Sequence, residues 1–340
     1  MFKKLLLTAA AGVVAVVAAG SAQAADVTLR FGHFWPPVAG AHKNLFQAWA
    51  DAVQDESKGK LAVEMYPSAT LAKPPAQYES VKNRIMDVTA TVLGYSANRF
   101  PLTQIVELPG LAKNAQHGSC IVQSLYDEGL LDAEYKDTMP LFLFTHGPGM
   151  IHTSEKQVKV PGDLAGLRIR RPTTVVAKLL EEFGAQPVGM PAPQSYQSMQ
   201  RGVIDGVALP WEGALAFRLN ELAKHHTDLG GLYTLSFIVT MNKDVYEDLP
   251  ADVKAVVDAN RGMDWAKKAG VVFDDMDTVG HKQAVDGGHE IYVVEGGIQN
   301  PDWAAPLAKA TESYLDELEG KGLPARKVHA RALELAASCQ

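Results

Sequence analysis

The sequence predicts an α/β protein built as two similar lobes. Apolar-alternating segments and segments with helical spacing follow one another along the chain, the order of strand–helix–strand units with largely parallel sheets. A stretch near residue 80 is echoed near residue 200, which suggests that one unit was built twice. No low-complexity linker separates the halves, so the lobes are interwoven and not strung like beads.

The first segment is not part of either lobe. Residues 1–24 begin with Lys3 and Lys4, continue with an apolar core from Leu5 to Ala19, and end in Ala22-Gln23-Ala24, a small-x-small cleavage pattern. This is the form of an export signal. The competing reading is a membrane anchor, which needs about 20 apolar residues; the core is shorter and ends in the cleavage pattern. The expected mature chain is 25–340, bound for the periplasm or beyond.

Val27, Leu29 and Phe31 then alternate with Asp26, Thr28 and Arg30, as in a half-buried strand. Leu45, Phe46, Trp49 and Val53 fall at helical spacing, and Gly59 stops that helix. Leu61, Val63 and Met65 alternate again. Residues 77–87 read as a helix and 88–93 as a buried strand. Further strands are expected at 141–145, 167–170, 204–209 and 234–240, and long helices at 250–284 and 301–320.

The echo pairs YESVKNRIMDV at 78–88 with YQSMQRGVIDGV at 196–207. Tyr78 precedes Asp87 as Tyr196 precedes Asp205, Ser80 matches Ser198, and Ile85 matches Val203. Each segment is followed by aromatic and glycine residues: Gly94-Tyr95 in one, Trp211 and Gly213 in the other. The bland alternative is that any helix-to-strand unit shares this pattern. If the echo marks two lobes, their ligand lies outside the carboxyl ends of the strands, in a cleft between them.

Composition narrows the function. With 47% hydrophobic and 21% charged residues the chain is globular, and a net charge of −7 argues against a nucleic-acid partner. Two cysteines cannot form a disulfide framework or a four-thiolate zinc site. Cys120 and Cys339 are either a disulfide, which an oxidising compartment permits, or two separate thiols. There is no G-x-S-x-G elbow, P-loop, H-E-x-x-H or G-x-G-x-x-G turn. Gly147-Pro148-Gly149 is read as a tight turn. His33, His146 and His152 near strand ends are read as satisfied or solvent-facing, and adjacent His225 and His226 point apart and make a weak metal pair. No cofactor and no metal site is expected.

The run Arg168-Ile169-Arg170-Arg171 is the informative feature. In a strand, 168 and 170 share one face. Pro172 ends the strand, which leaves Arg170 near its carboxyl end, where a ligand would lie. A guanidinium offers a planar fork of donors that matches a carboxylate. Arg168 and Arg171 are read as surface ion pairs.

Several segments, in this order, resemble the solute-binding proteins of tripartite ATP-independent periplasmic (TRAP) transporters, of the DctP type. They are TLRFGHFWPP at 28–37, the helix and turn at 78–88, DLAGLRIRRP at 163–172, FGAQPVGMPAPQSYQSMQRGVIDG at 183–206 and FIVTMNKDVYEDLP at 237–250. The resemblance implies the two-lobed periplasmic solute-binding fold (type II-like), with two mixed sheets flanked by helices, a ligand cleft between the lobes and a long helix spanning both. It implies lobe I from 25–147 plus 236–275, lobe II from 148–235 plus 276–305, and C-terminal helices at 306–340 packing across them. An arginine in the G-L-R-I-R segment of this family binds the ligand carboxylate, and that position is Arg170. Where many members carry polar residues after V-I-D-G, this chain has Ala208-Leu209-Pro210-Trp211.

The expected ligand is therefore a small organic acid with an aromatic or hydrophobic part, and a C4-dicarboxylate or hydroxy acid is the second choice. Phe34, Trp35, Met190, Trp211 and Phe237 are candidate walls, each also readable as core. Tyr78, Gly94, Tyr95 and Gly147 complete the candidate set. The implied partners are the small and large membrane subunits of a TRAP transporter, with no nucleic acid, and the implied mechanism is capture by lobe closure. A periplasmic enzyme or a sensor partner on the same scaffold remains as an alternative.

Overall fold

The computed structural model describes residues 25–339, so the export signal at 1–24 lies outside the described residues. Among the described residues there are eleven strands: β1 (Val27–His33), β2 (Leu61–Tyr66), β3 (Val88–Val92), β4 (Thr138–Thr145), β5 (Met150–Thr153), β6 (Arg168–Arg171), β7 (Gln186–Gly189), β8 (Gly206–Leu209), β9 (His225–Asp228), β10 (Ser236–Asn242) and β11 (Glu290–Val293). They form a five-stranded sheet in the order β2-β1-β3-β10-β4 and a six-stranded sheet in the order β11-β9-β5-β8-β6-β7.

Reversing the second order gives β7-β6-β8-β5-β9, which matches the first strand for strand, with β11 added at the edge. In each sheet the first three strands are parallel, the fourth is antiparallel to both its neighbours, and the fifth pairs with it. The sheets are thus mixed, where strand–helix alternation alone suggests largely parallel ones. The reason is the chain's path. It leaves the first sheet at β4 to enter the second at β5, and it returns from β9 to β10. Each crossing delivers a strand that runs against its neighbours. Gly147-Pro148-Gly149, expected to be only a turn, carries the outward crossing, and Gly149 N–H donates to Tyr233 O (2.7 Å) on the returning one.

The echo is structural. Each echoed segment is a helix (Gln77–Lys82, Ser195–Gln200), a turn and a strand. Asp87 accepts from Arg30 N (2.8 Å), Nε (3.1 Å) and Nη2 (3.1 Å) on β1. Asp205 accepts from Arg168 N (2.8 Å), Nε (3.0 Å) and Nη2 (2.6 Å) on β6. The same fork of donors ties the helix-to-strand turn to the first strand in both lobes. By this alignment the lobe I counterpart of Arg170 is Gly32, so lobe I has no cation at the matching position.

The stretch expected as one helix at 250–284 is two, Ala251–Ala259 and Met263–Asp286, because Gly262 takes φ +75° between them. The longer one spans both lobes. Gly270 lets the Gln116 backbone approach, and Gly280 lets the Trp211 backbone approach. Between them Asp274 accepts from Ala115 N (2.7 Å) at the start of the lobe I helix Ala115–Asp127. Asp277 accepts from Glu212 N (2.7 Å) at the start of the lobe II helix Trp211–Ala216. A carboxylate at a helix N-terminus satisfies amides that have no partner within the helix. One face of the long helix therefore holds a helix of each lobe.

The main core runs through both lobes. Phe31, Trp35, Trp49, Phe142, Phe144, Phe237 and Phe273 are buried in it. The helix Pro301–Gly320 packs on the lobe II helix Thr174–Glu182, and the last helix, Ala325–Ser338, packs on Ala115–Asp127 of lobe I. Cys120 and Cys339 form a disulfide that fixes this last helix to lobe I. Among the described residues no helix is long and apolar enough to cross a membrane.

Candidate ligand cavity between the lobes

The cavity lies where the carboxyl ends of the first strands of each sheet face each other. Lobe I contributes Phe34 and Trp35 after β1, Val92 at the end of β3 and Tyr95 beyond it, His146 after β4, and Phe237 on β10. Lobe II contributes Arg170 on β6, Ala192, Leu209 at the end of β8, Glu212 from the helix that follows, and Phe217 just past its end. The cavity among them is narrow, about 20 Å³, room for little more than one water molecule with the lobes in this arrangement. Phe34 and Trp35 stack at 3.8 Å, Phe217 lies parallel to Phe34 at 6.2 Å, and Trp35 meets Phe237 at 5.7 Å.

Arg170 is wholly buried. Its Nε donates to Met190 O (3.0 Å), Nη1 to Ala208 O (3.0 Å) and Nη2 to the Tyr95 hydroxyl (3.2 Å). These bonds aim the guanidinium but leave its charge unpaired: among the described residues no carboxylate forms a salt bridge with it. Burying a charge without a counter-charge is costly. Arg168, by contrast, has its partner in Asp205, as a surface ion pair should.

Tyr95 links the lobes. Its hydroxyl accepts from Arg170 and from Ala192 N (2.9 Å), which leaves its own proton to donate into the cavity. Burial raises its pKa, so it stays protonated. Burial also pushes His146 down to about 3, which makes it a neutral imidazole, and holds the Glu212 carboxyl well above its usual range, with the nearby Asp277 carboxylate adding to the effect.

Of the residues singled out in the sequence, Arg170, Phe34, Trp35, Tyr95 and Phe237 meet around this cavity, and Met190 contributes its carbonyl. Tyr78 does not. It is buried in a separate cluster, with its hydroxyl 3.0 Å from Thr138 Oγ1 and its ring against Phe100. Trp211 does not line the cavity either. The chain turns at Pro210, and the ring packs on His226 (4.7 Å), His152 (5.2 Å) and His281 (5.2 Å) beside a wider, open groove. Gly94 and Gly147 stand at close approaches, to Thr173 and to Asp277, and line no part of the cavity.

Sequence reading missed His146, Glu212 and Phe217. His146 carries the right signal, a position just past a strand end, but it is not satisfied as expected: its Nε2 is buried with no partner among the described residues. Glu212 supplies, one residue beyond Trp211, the polar group that the A-L-P-W segment lacks. His152 is satisfied. Its Nε2–H donates to Leu209 O (3.0 Å), so its Nδ1 accepts from His226 Nδ1 (2.6 Å), whose Nε2 in turn accepts from His289 (2.9 Å). On β9, His225 and His226 do point apart: His226 is buried in this chain and His225 meets Glu290.

Two α/β lobes crossed by two chain passages, with an unpaired buried cation facing the space between them, define a solute-binding protein. The chain belongs to the DctP family, the bacterial extracellular solute-binding proteins of family 7, whose model matches residues 31–268. A TRAP solute-binding protein from a marine metagenome, specific for aromatic acids and co-crystallised with 3-hydroxybenzoate, is 36% identical. That similarity covers 93% of this chain and 100% of the other, with a TM-score of 0.90. A TRAP solute-binding protein from Rhodoferax ferrireducens, solved with copurified benzoate, is 34% identical over 92% of this chain and 98% of its own, with a TM-score of 0.87. A solute-binding protein of Albidiferax ferrireducens is 27% identical over 61% of this chain and 62% of its own length.

Proposed function

We propose that the protein captures an aromatic monocarboxylate in the periplasm and presents it to the small and large membrane subunits of a TRAP transporter. One observation carries this reading: Arg170 is wholly buried, has no carboxylate partner among the described residues, and faces a cavity walled by aromatic rings. The ligand's carboxylate supplies the missing counter-charge through the guanidinium fork, and Tyr95 donates a further hydrogen bond. The ring lies against Phe34, Trp35, Phe217 and Phe237. The aromatic acids bound by the two similar TRAP proteins agree with this. A C4-dicarboxylate fits less well, because Arg170 is the only cation among the lining residues.

Capture works by closure. The open cleft admits the anion, Arg170 orients it, and the lobes hinge about the two crossing passages until Tyr95 reaches Arg170 and Ala192. The protein binds and does not transform its ligand, so mass spectrometry of the released ligand returns it unchanged.

The test is calorimetric titration of ligand-stripped 25–340 with benzoate. At a hundred times its dissociation constant, a ligand stabilises the folded state by about 2.7 kcal/mol, a rise of roughly 5 °C in melting temperature for a chain of this size. Arg170→Lys keeps the charge but loses the planar fork. It is expected to weaken binding about 30-fold or more, a cost of about 2 kcal/mol. Undiminished binding in this variant, or binding only of sugars or amino acids, would sink the reading.

A further inference from the structure

Two residues that line the cavity each carry a polar atom with no partner among the described residues. His146 Nε2 and Glu212 Oε2 are both buried and unpaired, on residues 1% and 3% exposed. They come from opposite lobes, His146 from the end of β4 and Glu212 from the first turn after Pro210. Neither residue hydrogen-bonds Arg170, so both atoms are left free for the ligand.

The protonation of His146 follows from its surroundings. Its Nδ1 lies 2.5 Å from Gly147 O, and a carbonyl can only accept, so Nδ1 carries the hydrogen. Nε2 therefore presents a lone pair. The backbone is held by Thr234 Oγ1, which donates to His146 O (2.6 Å), and the ring by edge contacts with Tyr233 (5.8 Å) and Phe237 (5.7 Å). Glu212 is held by its own N–H on Asp277. Burial and the nearby Asp277 favour the protonated form of its carboxyl, which presents one donor and one acceptor.

We propose that His146 and Glu212 read a hydroxyl group on the ring of the bound acid, so that the preferred ligand is a hydroxylated aromatic monocarboxylate. The ligand's O–H donates to His146 Nε2, and its oxygen accepts from the Glu212 carboxyl. This rests on reading the cavity as an aromatic-acid site and adds a second polar contact besides the one to the carboxylate. Benzoate would leave both atoms buried and bare, which costs free energy. A second carboxylate in their place would face a lone pair and an acidic group. Because the two partners sit on opposite lobes, the hydroxyl also favours the closed form.

The experiment is calorimetric titration of ligand-stripped wild type with benzoate and its three monohydroxylated isomers, repeated with His146→Phe and Glu212→Leu. In the wild type, at least one isomer is expected to bind about tenfold tighter than benzoate, the worth of one or two buried hydrogen bonds. In the variants the ratio of the two affinities is expected to fall toward one, whatever happens to either affinity alone, with folding checked by circular dichroism. If no isomer exceeds benzoate by more than about twofold, or if the ratio survives in both variants, the proposal fails while the aromatic-acid reading stands. If neither benzoate nor any isomer binds, that reading falls and takes this one with it. Should the variants fail to fold, the wild-type comparison alone decides.

Discussion

A Cβ built on Gly94 would lie 2.3 Å from Thr173 Cγ2 and 2.7 Å from Gln104 Nε2. Gly94 belongs to lobe I and Thr173 to lobe II. Thr173 is not free to retreat, since its Oγ1 accepts from Val176 N (3.4 Å) at the start of the helix Thr174–Glu182 and also supports the Glu107 carboxylate. The Thr173 contact depends on the lobes meeting, whereas Gln104 shares the lobe of Gly94 and meets it with the far end of a flexible side chain that can swing aside, so the missing side chain serves closure more than folding. Gly94→Ala is therefore expected to leave the melting temperature of the ligand-free protein within about 2 °C of wild type. Overpacking of the closed form by about 1–2 kcal/mol should weaken ligand binding about five- to thirtyfold. Calorimetry and thermal unfolding on the same preparation check both halves, and unchanged affinity would mean that the lobes close without this contact. At Arg170, its neighbour in function, residue chemistry was readable in advance: a cation two positions from its paired twin Arg168, at a strand end. At Tyr78 it was not. An aromatic residue in an echoed helix looks the same in sequence whether its hydroxyl meets a ligand or Thr138.

The short helical turn Thr103–Glu107 places a carboxyl group at the seam of the lobes. Glu107 Oε1 accepts from Ser236 N (3.2 Å) and Oγ (2.8 Å) on β10. No cation forms a salt bridge with it among the described residues, and burial pushes its pKa up to about 7 from 4.5. Such a group favours the folded state only while protonated. Its contribution is whole below pH 4.5 and is lost as the pH rises through about 7, because the folded state then holds a buried charge that the unfolded state leaves in water. A tenfold difference in proton affinity between the two states is worth about 1.4 kcal/mol. Glu107→Gln, which keeps the shape and the acceptor, is expected to match wild type in denaturant unfolding at pH 5 and to exceed it by about 2–3 kcal/mol at pH 8.5. A constant difference across that range would show that Glu107 does not titrate as described. At this scale the sequence was an uneven guide. Long strands with clean alternation or continuous apolar runs, such as β1, β4 and β10, were legible. The four-residue strands β5, β7, β9 and β11 were not, since MIHT, QPVG, HHTD and EIYV are too short to show a period. The antiparallel placement of β5 and β10 was also hidden, because it follows from where the chain crosses and not from any local pattern.

Across the whole molecule the C-terminal segment acts as a strap. Pro301–Gly320 lies on lobe II, Ala325–Ser338 lies on lobe I, and the Cys120–Cys339 bond joins residues 219 apart in sequence. The bond closes most of the chain into one loop and so constrains the unfolded state strongly. Both sulfurs belong to the cluster around Ile121, Leu125, Val328 and Leu335, apart from the aromatic walls of the cavity. Stability and binding should therefore separate. The double substitution Cys120→Ala and Cys339→Ala is expected to lower the unfolding free energy by about 2–5 kcal/mol while changing the affinity for an aromatic acid by less than about twofold. Dithiothreitol added to the wild type should reproduce the stability loss, and have no effect on the double variant. If affinity fell together with stability, the strap would be part of the closing machinery and not only an anchor for the last helix. Such a bond also fixes where the fold can mature. It persists in an oxidising compartment such as the periplasm and not in a reducing cytoplasm, the same destination that the sequence of residues 1–24 predicts.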